Sequence, residues 1–239
     1  MWLMLLDGFP TGIETLHRHS RLANWLLIAT IVAVFVLTGA NECLGNPEVM
    51  PWILNGWSLK GLLGSSFLHA HWEHLIGNIF FLVLFGNVIC RTVGPWKYLA
   101  LYFSASFLAD AIHLICGGGP AVGASGAISG LCGMTLALFP FNRMEYPNGS
   151  VEELSGWDLR VWHFCALHFV WDIIGAVRHL SGVAYAAHLG GFAAGIALGL
   201  LFLHRGWITL TQFDNVSLYE KLTGKTLERE EVEVEAEGE

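Results

Sequence analysis

Six apolar runs of 18 to 22 residues constrain this chain more than any other feature of its sequence. A helix of about 20 mostly apolar residues crosses the hydrocarbon core of a bilayer, which is about 30 Å thick. We therefore predict an all-α fold, a polytopic membrane bundle of six transmembrane helices. The predicted spans are 23–40, 72–90, 97–116, 124–141, 159–177 and 182–203.

The composition agrees with a membrane protein. Of the 239 residues, 54% are hydrophobic and 13% are charged, whereas soluble globular chains carry roughly 25% charged residues. Much of the net charge of -8 comes from the run Glu228–Glu239, which holds seven of the twenty acidic residues and is typical of a solvated, disordered end. With no basic cluster to neutralise phosphates, nucleic-acid binding has no support.

Lys and Arg residues predict the orientation of the spans, because short cytoplasmic loops carry an excess of positive charge. Ten of the twelve fall before the first span, in or at the edges of the even-numbered connections, or after the sixth span, and only Lys60 and Arg178 fall in the odd-numbered connections. We expect both termini in the cytoplasm. The chain then divides into a cytoplasmic N-terminal segment (1–22), a six-span membrane domain (23–204) and a cytoplasmic acidic tail (205–239).

Four polar residues fall at a similar depth near the outer face. The second, fourth and sixth spans all run from outside to inside, and the four residues lie in the first turns of these spans: His74, Asn78, Ser125 and His188. They are therefore candidates for one site.

Ser125 lies in the string Gly123-Ala-Ser-Gly126-Ala-Ile-Ser-Gly130. Small residues often serve only to pack membrane helices. However, this serine follows a glycine-rich turn and opens a helix, where unpaired backbone N–H groups and the positive end of the helix dipole point outward. Such an environment stabilises a developing oxyanion, so Ser125 is a candidate nucleophile.

His188 shares a helix face with Gly191, Gly195 and Gly199, at i+3, i+7 and i+11. A histidine in a bundle can simply cap a polar contact. A second glycine stripe at 126, 130 and 133 follows Ser125, and two such stripes allow helix backbones to approach closely. That proximity lets an imidazole accept the proton of a serine at about 2.6–3.2 Å.

His74 and Asn78 are four residues apart and share a helix face, and the Asn78 amide can donate to a carbonyl oxygen. The string His69-Ala-His71-Trp-Glu-His74 could instead bind a metal. No Asp or Cys completes it nearby, so we expect no metal and no cofactor.

Together these motifs resemble those of the rhomboid intramembrane serine proteases. The resemblance runs in the family's order from about residue 60 to 203 and rests on Phe67-Leu-His-Ala70, His74-Leu75 with Asn78, Phe85-Gly-Asn87, Gly123-Ala-Ser-Gly-Ala127, Gly182-Val-Ala-Tyr185 and Ala187-His-Leu-Gly-Gly-Phe192. It implies the six-span prokaryotic form. It also implies that Ser125 is the nucleophile, that His188 is its base, and that His74 and Asn78 with the Ser125 N–H form the oxyanion hole.

One departure concerns the support of His188. Four residues after the nucleophile the family usually has an aromatic ring that packs on the catalytic histidine, whereas this chain has Ser129. Ser129, Asp110 or Asp172 could hold the imidazole instead, and the sequence does not choose among them.

The sequence thus predicts an intramembrane serine endopeptidase of the cell membrane. It would cleave single-span membrane proteins near the outer leaflet of the bilayer through a Ser–His dyad. One alternative is a haem- or metal-binding membrane protein that uses pairs among His113, His163, His168, His179 and His188. Another is an inactive rhomboid relative that binds membrane helices. Nothing in the sequence specifies an oligomeric state.

Overall fold

The structure is a computed structural model that describes residues 10, 12–15, 18–40, 45–146 and 159–232. Within these ranges it contains eight α-helices, two 3₁₀ turns (Met50–Trp52 and Ser65–Phe67) and four two-residue strands. The helices are α1 (Leu22–Leu37), α2 (Leu59–Gly64), α3 (Trp72–Val93), α4 (Pro95–Ile115), α5 (Ser125–Leu138), α6 (Val161–Val177), α7 (Tyr185–His204) and α8 (Leu218–Thr223).

The six predicted spans correspond to α1 and α3–α7, which confirms the helical membrane bundle. Helices α3, α4 and α7 have 22, 21 and 20 residues and are long and apolar enough to cross a membrane, whereas α1, α5 and α6 are shorter apolar helices. Four boundaries differ from the prediction by three residues: the ends of α1, α3 and α5 and the start of α7. Two of these differences have a local reason. Helix α1 ends before Gly39 and Ala40, which both have positive φ, and α7 begins only after Gly182, which has a φ of +88°.

Helix α3 contains a π-helical segment at Leu82–Gly86. A π-helical turn leaves a backbone carbonyl that needs another donor, and the buried amide of Asn24 in α1 donates to the Leu82 carbonyl at 2.8 Å. The same amide donates to Asn87 at 2.9 Å and accepts a hydrogen bond from the Tyr98 hydroxyl. One polar side chain therefore joins α1, α3 and α4.

Helix α5 lies at the centre of the bundle and packs on α7 along the predicted glycine stripes. Most of its residues are buried. A β-carbon at Gly191 would overlap the carbonyl oxygen of Gly126, and a β-carbon at Gly195 would overlap that of Gly130. The close approach of the two helices, predicted from glycine spacing, is confirmed.

The connections at one end of the bundle form a small polar layer. Strand β1 (Gly12–Ile13) pairs antiparallel with β2 (Met144–Glu145), and β3 (Leu210–Thr211) pairs parallel with β4 (Arg229–Glu230). Arg18 donates to the Thr209 carbonyl at 2.7 Å and forms an ion pair with Glu230. The two described ends of the chain therefore lie on the same side of the bundle.

Two residues near the start of the acidic run that begins at Glu228 contact the folded chain. Arg229 forms an ion pair with Glu220 at 2.8 Å and Glu230 pairs with Arg18, so these two residues are held against the folded chain as part of β4. Residues 233–239 lie outside the described residues, as do residues 1–9.

Candidate active site

A cavity of about 510 Å³ opens among α3, α5, α6 and α7 at the ends where α3, α5 and α7 begin. The four predicted site residues all line it: His74, Asn78, Ser125 and His188. These four residues, which the sequence places at a common depth in the membrane, therefore lie together in the structure. His71 and Glu73, which are largely exposed, line the same cavity and mark its opening to the surface.

Ser125 is the first residue of α5, as predicted. The helix therefore presents N–H groups without intrahelical partners on the side of the serine. The preceding loop is anchored by the Gly123 N–H, which donates to the Ser65 carbonyl at 2.8 Å. Anchoring of the turn holds the N-terminus of α5, and with it the serine, at the cavity wall.

Gly123 allows this turn to approach α3. Its φ of +121° is a conformation that residues with side chains rarely adopt, and a β-carbon here would lie 2.6 Å from the His74 ring. The backbone N–H of His74 donates to Nδ1 of His71 at 3.2 Å, which caps the start of α3. The His74 ring therefore lies between the turn before Ser125 and the first turn of its own helix.

Asn78 is 95% buried one turn further along α3. Its side-chain nitrogen Nδ2 has no hydrogen-bond partner among the described residues. A buried donor without a partner is costly, and such groups often serve a ligand or reaction intermediate. Because Asn78 lines the cavity, its amide is available to a carbonyl oxygen that enters.

His188 lies in the first turn of α7 and is oriented from α6. Its Nδ1 lies 3.0 Å from Oδ1 of Asp172, a carboxylate that is 96% buried. Within the described part of the chain no hydrogen bond joins His188 to Ser125. Catalytic hydrogen bonds are often long or poorly aligned before substrate binds, so a dyad of Ser125 and His188 does not require a hydrogen bond between them in the free protein.

The three residues that the sequence offers as supports for the His188 ring have different contacts in the structure. The Asp110 carboxylate accepts a hydrogen bond from the Ser65 hydroxyl at 3.0 Å. The Ser129 hydroxyl lines the cavity but is buried without a hydrogen-bond partner among the described residues. Of the three residues, Asp172 is the one that contacts the imidazole.

The histidines of the haem or metal alternative have different surroundings. His113 bonds the Gly119 carbonyl, and His163 accepts from the Arg160 N–H at the start of α6. His168 and His188 do come together, with ring centroids 6.3 Å apart. No group of three or more His, Cys, Asp or Glu side chains in the described ranges is arranged to hold a metal.

His168 also lines the cavity, although the sequence suggests a role for it only in the haem or metal alternative. It stacks on Phe81 of α3, and its Nε2 lies 3.9 Å from Oδ2 of Asp172. Its spacing of four residues from Asp172 places both on one face of α6 and is the signal that could have identified it.

Comparison with known proteins gives a consistent result. The sequence model of the Rhomboid domain matches residues 56–205. The chain is 27% identical over 195 residues to mitochondrial Rhomboid protein 1 of Saccharomyces cerevisiae, which covers 76% of this chain and 53% of that protein. It is 31% identical over 157 residues to RHOMBOID-like protein 4 of Arabidopsis thaliana, with 64% and 36% covered.

A third relative is the mitochondrial presenilin-associated rhomboid-like protein of Mus musculus, 26% identical over 204 residues, with 82% of this chain and 49% of that protein covered. The chain thus spans about a third to a half of the length of these relatives. The similarity therefore concerns only part of each relative.

Proposed function

Since the chain belongs to the rhomboid family, whose domain model matches residues 56–205, we propose that it is an intramembrane serine endopeptidase. Its substrates would be single-span membrane proteins, cleaved near the outer leaflet. The observation that carries the proposal is the cavity lined by Ser125, His188, His74 and Asn78, three helices contributing to one site.

In the proposed reaction, Ser125 is the nucleophile and His188 the general base. The imidazole takes the hydroxyl proton as the serine oxygen attacks the peptide carbonyl, and it returns the proton to the leaving amine. Water then hydrolyses the acyl-enzyme. The exposed His71 and Glu73 at the cavity opening support a route by which this water enters.

The oxyanion of each tetrahedral intermediate is proposed to bind the Ser125 N–H, the Asn78 amide and His74. The unpartnered Nδ2 of Asn78 supports this role, because a preorganised donor needs no reorganisation when the charge develops. The position of Ser125 at the start of α5 adds the positive end of a helix dipole.

A substrate helix hides its carbonyls in backbone hydrogen bonds, so it must unwind locally before attack. We therefore propose a preference for substrates with Gly, Pro or other small residues near the outer end of their span. A matched panel in which these residues are replaced by Leu tests this preference. Equal cleavage of both sets would contradict it.

The test of the activity compares wild type with Ser125→Ala in proteoliposomes that contain a single-span substrate. We expect cleavage and covalent fluorophosphonate labelling in wild type and neither in Ser125→Ala, with strong losses in His188→Ala and Asn78→Ala. Binding of the substrate without cleavage by wild type would favour an inactive relative. A visible absorbance or bound metal in purified protein would favour the haem or metal alternative.

The protein is a membrane protein, and we propose the cell membrane, with both termini in the cytoplasm, as its location. The excess of Lys and Arg in the connections on the side of the two described ends supports this orientation. Several relatives have names that place them in mitochondria. Fractionation with protease protection of tagged termini tests both the membrane and the orientation.

A further inference from the structure

The buried carboxylate of Asp172 lies directly behind His188, on the far side of its ring from the proton that the base would take. We infer that Asp172 is a positioning residue that extends the proposed Ser125–His188 dyad to a Ser–His–Asp triad. The inference rests on the proposed function and adds a group to it.

The hydrogen bond between Asp172 and His188 determines which imidazole nitrogen carries a proton. An ionised carboxylate only accepts hydrogen bonds, so Oδ1 of Asp172 at 3.0 Å requires the proton on Nδ1 of His188. Nε2 is then unprotonated and can accept the proton of Ser125. This is the tautomer that a general base for serine needs.

The carboxylate also stabilises the charge that His188 acquires when it takes the proton. Asp172 is buried, at 4% exposed, and His188 is partly buried, and an imidazolium next to an anion at low dielectric gains more than one in water. No aromatic ring is available for packing on the histidine from position 129, because Ser129 stands there. Asp172 thus provides by hydrogen bonding the orientation that Ser129 cannot provide by packing.

The second carboxylate oxygen faces His168, at 3.9 Å from its Nε2. This distance is too long for a hydrogen bond but suits an ion pair when His168 is protonated. The His168 ring is fixed by stacking on Phe81, so α6 presents both oxygens of Asp172 to imidazoles. Other ionisable groups interact with the pair from neighbouring helices: Cys132 of α5 with Asp172, and His74 of α3 with His188.

The test uses Asp172→Asn, Asp172→Glu and the matched control Asp110→Asn. Asp110 is also a buried carboxylate in a span, but its partner is Ser65. Rates of cleavage and of fluorophosphonate labelling are measured from pH 5 to 9 in proteoliposomes, with thermal unfolding of each variant. Ser125→Ala serves as the baseline for the proposed function itself.

We expect Asp172→Asn to lower kcat by about 10²–10⁴-fold with little change in KM, because an amide can donate to Nδ1 and hold the wrong tautomer. The acidic limb of the pH profile should shift to lower pH, since the carboxylate no longer favours the imidazolium. Asp172→Glu should recover part of the loss. Asp110→Asn should leave the acidic limb unmoved.

A kcat within twofold of wild type and an unmoved acidic limb in Asp172→Asn would overturn the inference. So would an equal loss of kcat in Asp172→Asn and Asp110→Asn with neither profile shifted, because that pattern reports only general packing. If Asp172→Asn does not fold, Asp172→Ala decides by the same shift, because it also removes the carboxylate. Cleavage that persists in Ser125→Ala would instead refute the proposed protease, a result distinct from failure of the triad.

Discussion

The carbonyl oxygen of Gly130 in α5 lies so close to Gly195 in α7 that a β-carbon at position 195 would overlap it. This contact belongs to the glycine stripes along which α5, which carries Ser125, packs on α7, which carries His188. Any separation of the two backbones would also separate these two side chains. The distance between the proposed nucleophile and its base is therefore set by backbone packing below the cavity.

Gly195→Val is expected to destabilise the protein and abolish cleavage. The added side chain must push α7 away from α5, and overpacking of a tight core typically costs about 1–3 kcal/mol. Thermal unfolding in detergent and the cleavage assay measure the two effects. Gly77→Ala is the matched control for unfolding, since a β-carbon there meets nothing within 4 Å. An unchanged melting temperature in Gly195→Val would contradict the close approach.

Gly123→Ala is expected to impair the site with little effect on the bundle. A β-carbon at this position would lie 2.6 Å from the His74 ring, so the ring or the turn before Ser125 must move. We expect at least a tenfold loss of fluorophosphonate labelling. Gly56→Ala separates this collision from backbone strain, because Gly56 also has a positive φ, +70°, with nothing within 4 Å. Equal labelling of both variants would argue against contact between the turn and His74.

The sequence predicted which side chains meet at the cavity better than it predicted the contacts that support them. Periodicity and depth were sufficient to place Ser125, His188, His74 and Asn78 at a common depth, because each lies early in an apolar run whose direction follows from charge. The same reasoning put Asp110 and Asp172 at the outer ends of their spans and could not choose between them. The choice depends on how α6 is rotated against α7, a tertiary property that no local pattern in α6 encodes.

Asn24 was missed for a related reason. Its amide satisfies a carbonyl in the π-helical segment of α3, and that segment has no pattern of its own in the sequence. In the acidic run, ion pairs hold Glu230 to Arg18 and Arg229 to Glu220, and these partners lie 212 and 9 residues away along the chain, so no local pattern indicates them. Composition alone describes such a run as solvated.

Asn24→Leu is expected to lower stability by about 1–3 kcal/mol, because it leaves the Leu82 carbonyl and the Tyr98 hydroxyl without their buried partner. Thermal unfolding in detergent measures the loss. Thr30→Val in the same helix is the control, since the exposed Thr30 hydroxyl bonds only the Leu26 carbonyl of its own helix. Comparable losses in both variants would show that the network across α1, α3 and α4 adds no stability.

The contact between Glu220 and Arg229 predicts a pH dependence of the polar layer at the end of the bundle. Desolvation acts to raise the pKa of Glu220, but it is outweighed by hydrogen bonds from the Leu227 and Ser217 N–H groups and from Arg229, so the pKa falls from 4.5 to about 2. A carboxylate whose pKa is lower in the folded state stabilises the fold above its unfolded pKa. This contribution should be lost as the pH falls from about 4.5 toward 2.

Glu220→Gln should therefore lower the melting temperature at pH 7 and remove part of its decline between pH 5 and 3. The amide can no longer accept two charge-assisted bonds from Arg229, which normally lie at 3.0 and 2.8 Å. Glu228→Gln is the control, because Glu228 is exposed and the change should leave the melting curve near that of wild type. If Glu220→Gln and wild type lose stability in parallel below pH 5, the ion pair does not hold the end of the chain against the bundle.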